Sequence, residues 1–587
     1  MRFLGNVLAT IVGLFIFMML FFFGFVFIAA IAGSDSETVR VNDNSVIELD
    51  LSKVTNDYGG KFNYKDFDYF EDNHDGLSDV IHAIEVAKTD SNIQGISILN
   101  DNSQLGMAQS KALRDALEDF KNSGKFVYAY ANYYTQKEYY LNSVANVVYL
   151  NPVGQMDFKG LSSELMFFKD LQEKSGIKME VIRHGKYKSA VEPFLENKMS
   201  EANREQISAL LHSVWNATVT DIAKSRKVTV ERLNAIANGL LARTPEMAKA
   251  EKLVDKIAYE DIYHDDIRKM LDVPKDEDYN KINILDYAEN VAITSADYTT
   301  QNRIAIIYAQ GEIQSGEGDV DVIGEGAMRR SLQQARKDDD VKAIVLRIDS
   351  PGGNALTSDL IWREIELTKK VKPVVVSMGN LAASGGYYIA CNGSRIFAEA
   401  NTITGSIGVF GVLPNFSPLA TKIGINTEQV STHANAAGYS AFKPLDENFR
   451  KFTQEDVEHI YNTFVNRVAA GRKMNFAAVD SIAQGRVWSG SEALKIGLVD
   501  EIGGMDAAIA HAAKLAKIKE YRTEDFPEYE KNFRDFLSNM GVPFVRSTAD
   551  LLREEIGEEN YQTLEKIKRL TAKVGIQAAL PFEINIR

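Results

Sequence analysis

Read from end to end, the sequence repeats itself once, at a spacing of about 247 residues. VIELDLSKV (46–54) resembles RIAIIYAQGEI (303–313), LSDVIHAIEVAKTD (77–90) matches MRRSLQQARKDDD (328–340), and IQGISILN (93–100) matches VKAIVLRI (341–348). Further on, Ser225-Arg226-Lys227 answers Gly471-Arg472-Lys473, and ANGLLARTPEMAKAEKLVDKI (237–257) answers AQGRVWSGSEALKIGLVDEI (483–502). Each copy alternates short β-branched runs with helical patterns of about 10–15 residues, the signature of βα units and of parallel strands buried on both faces. The chain therefore reads as two α/β domains of one fold, 45–290 and 303–520. Residues 521–587 fall outside the repeat and read as a helical C-terminal extension. Its charged stretch LLREEIGEENYQTLEKIKRL (551–570) suits a solvated face or, as the alternative, an oligomer contact.

The first 33 residues differ in kind. Residues 3–33 carry no charge, longer than the roughly 20 apolar residues that span a bilayer and than the 7–15 of a signal-peptide core. Arg2 precedes this run and Ser34-Asp35-Ser36-Glu37 follows it, which places the short end in the cytoplasm and the body outside. Residues 1–33 are thus expected to be a single transmembrane anchor. Ala30-Ile31-Ala32 leaves cleavage as the other reading. The body has ordinary globular composition, 45% hydrophobic and 25% charged. A net charge of −15 without a basic run points away from nucleic acid, and the single cysteine, Cys391, excludes an intrachain disulfide or a cysteine-rich metal site.

Where the copies diverge, chemistry is expected. The second has Asp349-Ser350-Pro351-Gly352-Gly353 after a buried strand, where the first has Asp101-Asn102-Ser103-Gln104-Leu105. Paired glycines there can turn backbone N–H groups towards a ligand. The second also has Leu381-Ala382-Ala383-Ser384-Gly385-Gly386-Tyr387, and Lys137 stands opposite Ser384 in the first. Conversely Lys188, within Gly185-Lys186-Tyr187-Lys188-Ser189-Ala190-Val191-Glu192, stands opposite Ala436. One copy keeps a serine and the other a lysine, as a single composite site at the repeat interface would require.

The motifs YKSAVEPF, DSPGG, NLAASGGYY and NTITGSIGVFGV resemble those of the signal peptide peptidase A (protease IV) family in its long, duplicated form, over nearly the whole chain. The resemblance implies two tandem ClpP/crotonase-like repeats. It implies Ser384 as nucleophile, Lys188 as general base, the N–H groups of Gly353 and Gly385 as an oxyanion hole, and Ser406 as the residue orienting the lysine. It further implies a homotetramer on the periplasmic side of the bacterial inner membrane, acting on signal peptide remnants and other small unfolded peptides. No cofactor and no metal are implied.

A serine hydroxyl needs a neighbouring base. None of the eight histidines lies in a triad-like motif; His433, the first after Ser384, sits in HANAAG, and His184 reads as a loop residue. Lysine serves only when neutral, so its ordinary pKa near 10.4 must fall by desolvation, and Glu192 must point away from it. Cys391 reads as a buried helix residue, and the tyrosines at 133–134, 139–140 and 387–388 as packing. Arg486 and Asp500, recurring as Arg243 and Asp255, read as fold residues. Two rival functions are a crotonase-like acyl-thioester enzyme, which needs no Ser384–Lys188 contact, and a non-catalytic membrane scaffold.

Overall fold

The computed structural model describes residues 2–32, 40–64, 69–100, 103–295, 299–531 and 575–579. Each copy folds around its own parallel sheet. In the first, the strand order is Lys256–Ile257, Val147–Met156, Phe126–Tyr134, Ile93–Leu99, Ser45–Glu48 and Lys281–Asn283. In the second, the same order returns as Glu501–Ile502, Arg395–Ala398, Val374–Ala383, Val341–Ser350, Arg303–Gln310 and Arg522–Phe526. Every one of these neighbours is parallel. Helices cover both faces, so the central strands read as unbroken apolar runs: Val345, Leu346, Val374, Val375 and Val376 are fully buried.

The duplication extends to the ties that close each unit. Arg226 pairs with Asp255 at 2.7 Å, and Arg472 pairs with Asp500 at 2.6 Å. Asp255 accepts from the Val148 N–H and Asp500 from the Ile396 N–H, both at 2.8 Å. The aspartates play the fold role expected of them, but their partners are Arg226 and Arg472. Arg486 instead reaches Glu205 of the first copy at 3.0 Å, and Arg243 bonds the Leu240 carbonyl.

One departure from the sequence reading concerns the C-terminal end. Residues 522–531 and 575–579, read as part of a helical extension, are strands. Arg522–Phe526 adds a parallel edge to Arg303–Gln310, and Glu528–Lys531 pairs with Lys61–Tyr64. Strand edges left open by the repeat recruit them, a long-range demand that helical patterning does not record. The charged stretch 551–570 lies outside the described residues. At the other end a 31-residue helix runs from Arg2 to Ala32. No helix among the described residues is long and apolar enough to cross a membrane.

The repeats interlock. Asp57 of the first copy pairs with Arg347 of the second at 2.6 Å, and both are buried. Asn380 accepts from the N–H groups of Ala108 and Gln109 at the start of the Met107–Asn122 helix, at 3.0 and 3.1 Å. Most important for the site, the Lys178–His184 strand of the first copy runs antiparallel to Val409–Asn415 of the second along seven paired residues.

Candidate active site

Ser384 joins the Val374–Ala383 strand to the Gly385–Ala390 helix. Its backbone stands at φ 55°, ψ −115°, a conformation that side-chain-bearing residues rarely adopt. It is held by its own N–H, which donates to the Gly405 carbonyl at 2.8 Å, and by its carbonyl, which accepts from the Tyr388 N–H at 2.8 Å. Such strain costs on the order of 1–3 kcal/mol and persists only where the surroundings enforce it. Here it turns the hydroxyl out of the strand direction and towards the repeat interface.

Lys188 arrives from the other copy. After the Lys178–His184 strand the chain turns at Gly185 (φ 110°), and the Tyr187 N–H donates to the Gln484 carbonyl at 2.8 Å. The lysine side chain then passes between two glycines. A Cβ on Gly485 would fall 2.6 Å from Lys188 Cβ, and one on Gly408 would fall 3.1 Å from its Cδ. Neither glycine was singled out from the sequence. Gly408 is visible in TGSIG and Gly485 in AQGRVW, but their task shows only once the lysine is seen lying against them.

Lys188 Nζ lies 2.9 Å from Ser384 Oγ, 3.1 Å from Ser406 Oγ and 3.2 Å from the Ser406 carbonyl oxygen. All three residues are wholly buried. Nζ is placed to donate to all three oxygens, and three acceptors can serve either an ammonium or a neutral amine, so the count alone leaves its charge open. Burial alone drives the lysine pKa well below its ordinary value. Glu192, four residues on, is turned away as the chemistry demands: its carboxylate accepts from the Ser200 N–H at 3.0 Å and from the Asn203 side-chain amide. The neighbouring surface is apolar, with the Phe410 ring centroid 5.7 Å from Nζ and Val191 and Val412 packed on that ring.

The glycine turn lies near the residue that follows the serine. Gly352 has φ 94°, and its N–H donates to Ser350 Oγ at 3.1 Å. A Cβ on Gly353 would lie 2.1 Å from the Ile313 carbonyl, so no side chain is tolerated there. The Gly385 amide nitrogen lies 2.6 Å from the point where a Gly352 Cβ would stand, which brings the glycine turn against the residue after Ser384.

The rejected bases stay away. His433 is exposed, and His184 ends a strand, stacked 4.0 Å from the Tyr461 ring, where a loop was expected. Cys391 is buried, its thiol pushed up to about 12 by burial, and it donates to the Tyr388 carbonyl at 3.2 Å. Tyr134, Tyr139, Tyr140, Tyr387 and Tyr388 are buried packing residues, whereas Tyr133 is 45% exposed.

One family model, peptidase family S49, matches two stretches of the chain, 119–273 and 366–519. Their starts are 366 − 119 = 247 residues apart, the spacing of the repeat. This chain belongs to peptidase family S49. Protease 4 of Haemophilus influenzae is 37% identical over 446 residues, covering 74% of this chain and 72% of that protein. Protease 4 of Salmonella typhi is 37% identical over 481 residues, with 80% and 77% covered. The chloroplastic serine protease SPPA of Arabidopsis thaliana is 34% identical over 491 residues, with 81% and 72% covered. These matches bear out the long, duplicated signal peptide peptidase A form, and the S49 chain is a serine protease on a mixed α/β fold. Lys188 lies in the first S49 stretch and Ser384 and Ser406 in the second, so the buried cluster is built from both copies.

Proposed function

We propose that this S49 peptidase works through a Ser384–Lys188 dyad. The observation that carries the reading is the buried 2.9 Å approach to a serine hydroxyl of an amine that has no carboxylate partner among the described residues. Ser384 Oγ attacks the substrate carbonyl while Lys188 Nζ takes its proton. Gly353 and Gly385 N–H groups receive the oxyanion, and Ser406 keeps the amine aimed at Ser384. The lysine then protonates the leaving nitrogen, and it activates the water that hydrolyses the ester. An acyl-thioester enzyme would have no use for this contact, and a scaffold would have no reason to bury it.

We further propose a membrane-anchored endopeptidase that degrades signal peptide remnants and other small unfolded apolar peptides on the periplasmic side of the inner membrane, as a homotetramer. The sequence supports the anchor: residues 3–33 carry no charge, a run longer than the roughly 20 apolar residues a bilayer core needs, and Phe15, Leu20 and Phe21 within it are exposed. The apolar wall of Phe410, Val191 and Val412 supports extended apolar peptides as substrates. Fluorophosphonate labelling of purified protein tests the dyad. Label should attach to Ser384 and disappear in Ser384→Ala and in Lys188→Ala with the fold retained. Equal labelling of all three proteins removes the reading.

A further inference from the structure

Gln206 stands in the second turn of the Glu201–Arg226 helix and is 1% exposed. Its Nε2 donates to the Tyr187 carbonyl at 3.1 Å and to Ser189 Oγ at 2.8 Å, the residues on either side of Lys188. Its Oε1 accepts from the Val487 N–H of the second copy at 3.4 Å. A carbonyl only accepts and an N–H only donates, so these partners fix which way round the amide stands. The same Nε2 lies 3.1 Å from Asn203 Oδ1, and the Asn203 amide donates to the Glu192 carboxylate. The other end of the bridge leads back to the base. Val487 pairs with Gly405, and the carbonyl of Arg486 accepts from the Ser406 N–H at 2.7 Å. One buried side chain thus touches both neighbours of the lysine and the strand that fixes Ser406. The duplication shows that the fold itself does not require it. The counterpart helix, Glu447–Arg472, also has 26 residues, and at the same place it carries Phe452, which is 45% exposed. The copy with the lysine has the buried amide, and the copy without the lysine lacks it.

We propose that Gln206 is a positioning residue for catalysis, holding the Lys188 backbone where its amine meets Ser384 Oγ. The inference rests on the dyad reading above. A lysine side chain is a flexible four-carbon stem, so the amine is aimed only if the stem starts from a fixed point. Gln206 supplies that point by tying down residues 187 and 189 together. An amide suits the task because it is neutral. A carboxylate in its place would have no donor for the Tyr187 carbonyl, and its charge would favour the ammonium over the amine. The charged groups around this loop make their own pairs: Arg486 reaches Glu205 at 3.0 Å, and Arg183 donates to the Lys188 carbonyl at 3.3 Å. Through Asn203 the same amide network keeps Glu192 turned aside.

Peptide hydrolysis kinetics on the full-length chain test this, with active sites counted by fluorophosphonate so that kcat is expressed per working site. Gln206→Met removes both ends of the bridge and should lower kcat by about 10- to 100-fold with KM nearly unchanged, the effect of losing two hydrogen bonds of about 1 kcal/mol each. Ser189→Ala removes one of those bonds and should lower kcat by roughly five- to tenfold. The double variant should be no slower than Gln206→Met, because both changes break the same tie. Parental kcat in Gln206→Met, a loss confined to KM, or a double-variant loss equal to the product of the single losses overturns the positioning role. If Gln206→Met does not fold, Ser189→Ala decides alone, and parental kcat there overturns the proposal. These outcomes leave the dyad standing so long as Lys188→Ala abolishes labelling of Ser384. A Lys188→Ala protein that labels like the parent overturns the dyad and the role of Gln206 with it.

Discussion

Lys188 Nζ lies 2.9 Å from Ser384 Oγ although 196 positions of sequence separate the two residues. The contact exists because the strand preceding the lysine leaves its own repeat and pairs with Val409–Asn415 of the other. Substitutions around this contact should therefore separate the chemistry of the pair from the cohesion of the fold.

Ser406 holds the amine through two oxygens, one on its side chain and one on its backbone. Ser406→Ala removes only the first. A hydrogen bond of about 1 kcal/mol corresponds to a rate loss of roughly five- to tenfold. The loss should appear in kcat with KM nearly unchanged if Ser406 aims the proposed base. Peptide hydrolysis kinetics give both values. A rise in KM with kcat unaltered would place Ser406 in substrate binding instead.

The pH dependence follows from the direction in which burial moves Lys188. The proposed dyad requires the neutral amine, so kcat/KM should rise with pH along a limb below the ordinary lysine range near 10.4. Stability follows the same sign. Between the lowered folded value and the ordinary unfolded one, the unfolded chain binds the extra proton, so raising pH stabilises the fold. Lys188→Met should accordingly be more stable than the parent at neutral pH, and the advantage should shrink as pH climbs towards 10. Thermal melts of the two proteins across that range decide it; a constant difference would mean that the lysine is not held neutral.

Gly485 has φ 81° and leaves no space for a Cβ beside Lys188. Gly485→Ala should push the lysine off its line to Ser384. Misplacement by about 1 Å can cost on the order of 10²-fold in rate. Circular dichroism should show the fold intact while fluorophosphonate labelling slows. Labelling at the parental rate would show that the glycine is dispensable.

Breaking the buried Arg347–Asp57 pair should loosen the two repeats. Arg347→Met leaves Asp57 buried with Gln109 Nε2, at 2.9 Å, as its remaining side-chain partner among the described residues. Removing one member of such a pair typically costs about 3–5 kcal/mol. Urea denaturation should register that loss, and adding Asp57→Asn should recover part of it. Additive losses in the double variant would mean that the two side chains do not depend on each other.

Replacing Gly353 by Ala tests the glycine turn. Its Cβ would collide with the Ile313 carbonyl and shift the N–H assigned to the oxyanion. Loss of one such donor typically lowers the rate by about 10²–10³. Hydrolysis assays should show this in kcat; parental turnover would remove Gly353 from the oxyanion assignment.

Much of this protein was legible in its residues because burial leaves a local record. Apolar runs such as VKAIVLRI announce strands covered on both faces, and their recurrence after about 247 residues announces that one sheet order is used twice. The serine kept only at position 384 and the lysine kept only at position 188, one in each copy, are a pattern that a shared site leaves in a duplicated sequence. Which edges meet was not legible, because pairing depends on edges exposed hundreds of residues away and not on the pattern within a strand. Only the tertiary structure decided that Lys178–His184 crosses between repeats, that Gly408 and Gly485 sheathe the lysine, and that Gly575–Ala579 is a strand lying on the glycine turn.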